Sequence, residues 1–176
     1  MVLAAMTLGG CAAAPVPAWT NDPDPVVAPV FASNDEALAA AAATYGEYLA
    51  LTDQITQDGA RDAAGISNLV TPEYDPVVRS GFEDFHASAR HTAGASSFDT
   101  LSLARYHDDA AARASVTVYL CVDVSQVRVQ NSDDVDVTPP TRRDRVALQI
   151  SFLSSTKNPL DLLLDKEETW DGNDFC

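Results

Sequence analysis

The spacing of hydrophobic residues changes along the chain, and this change divides the sequence into a helical part and a sheet part. After Ser33, apolar side chains recur about every 3.6 residues, which is the period of an amphipathic helix. Ser33 and Glu36 have the S-x-x-E arrangement of a capping box, which marks the start of a helix. We therefore predict a helix over residues 34–54. Its apolar stripe consists of Leu38, Ala42, Tyr45, Leu49 and Ile55.

Two further helices are predicted before the period changes. Residues 62–70 form a short candidate helix that Gly65 interrupts. Asp75 and Pro76 supply a capping carboxylate and a proline at the first helical position, a combination typical of helix starts. This combination predicts a helix over residues 76–90. Its apolar face consists of Val78, Phe82, Phe85 and Ala89.

Beyond the loop at residues 94–97 the apolar period falls to about 2, which is typical of half-buried strands. The longest alternating run covers residues 115–124, and residues 146–152 repeat it. Shorter runs predict strands at residues 101–103, 127–129 and 160–164. Short turns between strands favour antiparallel pairing. We therefore predict one α+β domain over residues 33–176, with its helices packed on a curved antiparallel sheet.

The residues before this domain have the character of an export signal and a tether. Leu8-Gly9-Gly10-Cys11 resembles the bacterial lipobox, whose cysteine carries a lipid. Residues 1–10 are then a partial signal peptide, and their lack of positive charge indicates a start codon upstream or a miscalled first methionine. Residues 12–32 contain five prolines and are predicted to form the tether that follows Cys11. The alternative is a cytosolic protein in which Cys11 is an ordinary thiol.

The lipid on Cys11, a diacylglycerol and palmitate-type modification, is the predicted membrane attachment. No segment approaches the roughly 18 apolar residues of a membrane-spanning helix. The chain has 26 acidic and 11 basic residues and a formal charge of −15, which excludes nucleic acid as an expected partner. The same charge opposes electrostatic binding to anionic headgroups. We therefore expect a lipid-anchored protein on the extracytoplasmic face of the cell membrane.

With Cys11 assigned to the lipid, Cys121 and Cys176 remain as a pair. An even pair in an oxidising compartment predicts a disulfide. A metal or redox pair is the alternative, although the two residues lack the C-x-x-C spacing. The alternation of strand residues puts Cys121 on the face opposite to Val118, Leu120 and Val122, so it need not be part of the apolar core.

Few residues suggest metal or cofactor chemistry, and we expect neither a bound metal ion nor a cofactor. Glu83-x-x-His86 has the spacing of half a di-iron site, but a solvated helix face is the simpler interpretation because no second copy exists. His86 and His91 fall on different helix faces. The polar run from Asn131 to Asp136 could bind calcium, but it lacks the glycine and glutamate of a calcium loop, so we predict a hairpin turn.

The order of elements, with Gly81 to Phe85 on the last helix, resembles the cone-shaped nuclear transport factor 2-like superfamily, which includes SnoaL-like proteins. Residues 96–99, 121–129 and 170–176 resemble uncharacterised lipoproteins of high-GC Gram-positive bacteria. The first resemblance implies a cone-like domain that could act as a small enzyme of the SnoaL or ketosteroid isomerase type on an apolar ligand. Tyr45, Tyr48 and Asp53 are the candidate catalytic residues, and core packing is the alternative for the tyrosines.

Two functional hypotheses follow. The first is a noncatalytic binding or interaction module that holds an envelope protein or another envelope component against the sheet. The second is the small enzyme implied by the resemblance, with a small apolar ligand in a pocket. The absence of a concentrated catalytic set favours the first hypothesis. The sequence leaves the ligand or partner, any catalysis and the oligomeric state open.

Overall fold

In the computed structural model, which describes residues 28–109, 111–172 and 175–176, helices come first and strands follow. The helices are α1 (Asn34–Gln57), a 3₁₀ helix (Ala64–Asn68) and α2 (Asp75–Ala87). The strands are β1 (Arg90–Ala93), β2 (Ser97–Asp108), β3 (Ala114–Asp123), β4 (Arg128–Asn131), β5 (Arg145–Ser154) and β6 (Leu162–Thr169). The predicted α+β class is confirmed, whereas β1 had no counterpart among the sequence predictions.

The capping box of α1 forms with one change of partner. The Ser33 hydroxyl accepts a hydrogen bond from the Glu36 amide at 3.1 Å. The Glu36 carboxylate accepts one from the Ala32 amide at 2.8 Å, one residue before the expected donor. The helix runs three residues beyond the predicted end and stops before Gly59 and Ala60, which both have positive φ.

The face of α1 that packs on the sheet is shifted by one residue from the predicted stripe. Its buried residues are Ala37, Ala41, Tyr45, Tyr48 and Ile55. Leu38 and Leu49 are half-buried at the edge of the contact. Because alanine has the smallest apolar side chain, Ala37 and Ala41 let the helix backbone approach the sheet closely. The predicted stripe is therefore confirmed at Tyr45 and Ile55, but the spacing missed Ala37, Ala41 and Tyr48.

Four strands form the main sheet in the order β2-β3-β5-β6, and each neighbouring pair is antiparallel. The side chains that face the helices include Val116, Val118, Leu120, Ile150 and Phe152, and they pack with α1 in the core. Strands β1 and β4 form a separate two-stranded antiparallel sheet. Helix α2 ends at Ala87, three residues before the predicted end, and β1 begins at Arg90.

The carboxyl terminus returns to the outer face of the main sheet. Cys121 and Cys176 form a disulfide with Cα atoms 5.6 Å apart, which confirms the predicted bond. Tyr119 packs against Trp170 and Phe175, with ring centroids 4.7 and 6.1 Å away. Cys121 is not part of the core cluster that packs on the helices, as its face of the strand allows, although it is fully buried.

The packed part of the domain begins before Ser33, where the sequence placed its boundary. Phe31 is 3% exposed and lies in the core, and its amide donates to the Tyr106 hydroxyl at 2.9 Å. The Val30 amide donates to Asp108 at 3.2 Å.

The predicted signal peptide, Cys11 and most of the tether lie outside the described residues. No helix in the described ranges is both long and apolar enough to cross a bilayer.

Candidate functional site

A register shift between β5 and β6 turns one carboxylate toward the helices. Ser151 pairs with Lys166, but the next residue of β5, Phe152, pairs with Leu164. One extra residue in a strand reverses the alternation beyond it. Leu164 faces the core, and after the shift Glu167 faces the same side. Strict alternation would have pointed Glu167 to solvent.

Glu167 lies among three tyrosines that come from distant parts of the chain. Tyr45 on α1 donates to the Glu167 carboxylate at 3.5 Å. Tyr48 lies one helical turn later, with its ring centroid 6.0 Å from that of Tyr45. Tyr74 stands just before α2 and is half-buried. We call these four residues the acid–tyrosine cluster.

Burial dominates the proton affinities in the acid–tyrosine cluster. Loss of water contact raises the pKa of Glu167, and the hydrogen bond from Tyr45 opposes that shift. Burial also raises the pKa of each tyrosine, and the nearby Glu167 carboxylate raises it further. The phenols therefore stay protonated at neutral pH and act as hydrogen-bond donors.

The cluster has the groups for acid–base chemistry but is packed closely. A carboxyl group with a raised pKa holds its proton to higher pH than an ordinary glutamate, and strongly shifted pKa values are common among catalytic acids. However, Tyr45 is 1% exposed, and the Phe98 ring stands edge-on against it with centroids 5.2 Å apart. Protein side chains occupy the space in which a substrate would have to reach Tyr45.

Asp53, the third predicted catalytic residue, has different partners from the tyrosines. Its carboxylate accepts hydrogen bonds from the Ser96 amide and the Ser96 hydroxyl, both at 2.7 Å. These bonds fix the loop before β2 to the end of α1. The structure therefore brings Tyr45 and Tyr48 together at Glu167 and gives Asp53 a separate position at Ser96.

The histidines and the polar turn also have local partners. His86 Nδ1 lies 2.8 Å from the Gly59 carbonyl, and His91 Nε2 lies 3.2 Å from Asp134. The Asn131 side chain accepts from the amides of residues 133 and 135, as in a polar hairpin turn. Within the part of the chain that is described, no three histidine, cysteine, aspartate or glutamate side chains gather as metal ligands.

A groove of about 850 Å³ lies at one end of the main sheet. We call it the end groove. Four chain segments line it: residues 40–47 of α1, residues 67–73, the β2–β3 turn and the β5–β6 turn. A shallower groove of about 450 Å³ lies between α1 and residues 95–98 and includes Asp53. Glu167 lines neither groove.

Both apolar and charged side chains line the end groove. Leu153 and Leu160 are 37% and 54% exposed there. Glu47 and Glu73 contribute exposed carboxylates. Arg113 forms two hydrogen bonds with Asp109 of the same turn, at 2.9 and 3.0 Å, and its charge is largely neutralised.

No protein-family model and no curated protein matches the sequence. Solved structures that share the fold include two that cover at least three quarters of this chain. The intermembrane space region of the chloroplast protein ARC6 aligns over 75% of this chain and 95% of its own length, with a TM-score of 0.53 and 9% identity. A periplasmic fragment of TraM aligns over 79% of this chain and 98% of its own length, with a TM-score of 0.51 and 11% identity. At these identities the similarity establishes the fold alone.

Proposed function

We propose that the chain is a lipid-anchored extracytoplasmic domain that acts as a noncatalytic binding or interaction module of the cell envelope. One observation carries the choice of binding over catalysis. Ala37, Ala41 and Tyr45 are almost fully buried where α1 packs on the sheet, whereas the end groove is open at the surface. The accessible groove is therefore better suited to contact with a partner than to enclosure of a substrate.

Two observations support a location outside the cytoplasm. Disulfides persist in oxidising compartments and are rare in the cytosol, and Cys121 and Cys176 form one. The two fold neighbours are described as an intermembrane space region and a periplasmic fragment. The length of the segment after Cys11 is also compatible with attachment there. Residues 12–29 can span at most about 65 Å when fully extended, which is ample for a tether.

The lipid anchor is tested by expressing the gene together with the sequence upstream of it in a bacterium with the lipoprotein pathway. The wild-type chain should sediment with membranes, and mass spectrometry should find a diacylglyceryl group on Cys11. A Cys11→Ala variant should lose the lipid and be released. An unmodified Cys11 on membrane-free protein would refute the anchor.

Binding is tested by photo-cross-linking in intact cells. A photoreactive amino acid is placed, one position at a time, at Leu160 in the end groove, Val77 on α2 and Val135 beside β4, all of which are exposed. A binding module should give a discrete cross-linked product from at least one position. If none of the three positions gave a cross-linked product, the result would contradict the proposal.

The acid–tyrosine cluster favours a second candidate, a small enzyme acting on an apolar ligand. Glu167, with its raised pKa, would then be the acid–base group, and Tyr45 and Tyr48 would donate hydrogen bonds. Thermal-shift measurements with apolar carbonyl compounds, run in parallel on wild-type protein and Glu167→Gln, separate the two candidates. A compound that stabilises the wild type alone would favour the enzyme. Compounds that stabilise neither protein would favour the binding module.

A further inference from the structure

We infer that the end groove docks an extended segment of a partner protein that carries both leucine-like and basic side chains. This inference rests on the proposed binding function and names its site and its partner class. It is drawn from the apolar walls of the groove, its uncompensated carboxylates and its position on the domain.

The apolar part of the groove would be costly to leave in water. Leu153 and Leu160 come from opposite ends of the β5–β6 turn and are both substantially exposed. Leu69 and Pro72 line the groove as well. A single exposed leucine is ordinary on a protein surface, but several apolar side chains around one groove are typical of an interaction site. Covering them with leucine-like side chains would remove that apolar surface from water.

The charged part of the groove favours a basic partner. In the described ranges neither Glu47 nor Glu73 forms an ion pair. Arg113 is paired with Asp109, which leaves Lys157 on the β5–β6 turn as a base on the same rim. The whole chain carries a formal charge of −15, so its long-range field also attracts cations.

The shape and charge of the groove favour a polypeptide over other ligands. Small-molecule sites enclose most of the ligand surface, whereas this groove is open and runs past four chain segments. Nucleic acid and anionic headgroups would be repelled by the same carboxylates. An extended peptide can place apolar and basic side chains along such a groove in alternation.

The groove also lies close to where the chain enters the domain. His107 and Asp109 line it, and Asp108 between them accepts the hydrogen bond from Val30. In the anchored protein the groove is therefore near the attachment of the tether. A partner bound to the same membrane could present its segment there.

The test uses a labelled synthetic peptide of alternating leucine and lysine. Its affinity for the full chain is measured by fluorescence anisotropy. Two comparison peptides alternate leucine with glutamate and serine with lysine. The leucine–lysine peptide should bind most tightly, because it supplies both features. Equal binding of the serine–lysine peptide would overturn the apolar part of the inference.

Variants locate the binding site. Glu47→Gln with Glu73→Gln should weaken the leucine–lysine peptide about tenfold, since each exposed charge contributes modestly. The matched control is Glu83→Gln with Asp84→Asn, which makes the same change in charge on exposed residues of α2. Equal weakening by the control would show general charge attraction and overturn the inference.

A second pair of variants tests the apolar contact. Leu160→Ser should weaken the peptide, whereas Val77→Ser, an equally exposed apolar position outside the groove, should leave its affinity unchanged. Both positions are on the surface, so both variants should fold.

If no peptide binds and cross-links form at Val77 or Val135 but not at Leu160, the groove inference fails while the binding function stands. Absence of cross-links at all three positions would refute both.

Discussion

Tyr45 and Glu167 meet across the interface between helix and sheet, with the phenol oxygen 3.5 Å from the carboxylate. The two residues are 122 positions apart in the sequence, so their contact joins α1 to the last strand. The contact depends on the register shift in β6, which directs Glu167 inward. A carboxyl group held in this position has consequences for how stability depends on pH.

The first prediction is that the contribution of Glu167 to the stability of the domain decreases as the pH rises above the ordinary titration range of glutamate. Burial raises the pKa of Glu167 in the folded state, so the folded protein holds this proton more tightly than the unfolded chain does. The contribution from this group is complete below the unfolded pKa and is lost as the pH rises through the folded pKa. The tyrosines stay protonated throughout this pH range, so they do not make the stability depend on pH there.

Glu167→Gln should remove this pH dependence, because glutamine does not titrate. Urea unfolding at pH values above the ordinary titration range of glutamate should show the free energy of unfolding falling less steeply with pH in the variant than in the wild type. Glu168→Gln is the matched control, since Glu168 is exposed and pairs with Lys166 at 2.8 Å. The same change in both variants would mean that the position of Glu167 is irrelevant.

The second prediction concerns the disulfide. Cys176→Ser should lower the melting temperature by about ten degrees, because the bond closes a long loop and is worth up to about 4 kcal/mol. The sequence separation of the two cysteines is 55 residues. Cys121→Ser should cost more, since it also places a polar hydroxyl in a fully buried site. Peptide mapping under nonreducing conditions should recover the two cysteines together, and free thiols would contradict the bond.

Some features of the fold were predictable because a local pattern determines them. The capping box at Ser33 starts α1, and strict alternation marks β3 and β5. The disulfide was predictable from an even number of cysteines once Cys11 was set aside. In each case neighbouring residues or simple counting carry the information.

Other features depend on contacts that no local pattern encodes. The register shift in β6 arises from its pairing with β5, so alternation pointed Glu167 the wrong way and hid the cluster. Tyr74 joins the cluster from a segment with no periodicity. Ala37 and Ala41 gave a weak hydrophobic signal, although both are fully buried. The remaining candidate, Asp53, was plausible by residue type, but its partner Ser96 was identifiable only in three dimensions.

The third prediction is that Asp53 fixes the loop before β2. Asp53→Asn removes the charge and replaces one acceptor oxygen with a donor, so the hydrogen bonds to Ser96 weaken. We expect a loss of about 1–2 kcal/mol and faster hydrogen exchange of the Ser96 amide. Asp58→Asn is the control, because Asp58 forms an exposed pair with Arg61 worth at most about 1 kcal/mol. Unchanged exchange at Ser96 would show that the loop is held by other contacts.

The last prediction is that Phe31 belongs to the folded domain. Its ring is buried against Tyr106, with centroids 5.8 Å apart, so Phe31→Ala should cost about 3 kcal/mol. Tyr106→Phe should cost about 1–3 kcal/mol, because the Phe31 amide would lose its acceptor. Since the two residues touch, the costs should not add in the double variant. Val77→Ala, on an exposed face of α2, should change stability by less than about 0.5 kcal/mol. If Phe31→Ala cost no more than Val77→Ala, the domain would begin at Ser33 as the sequence alone suggested.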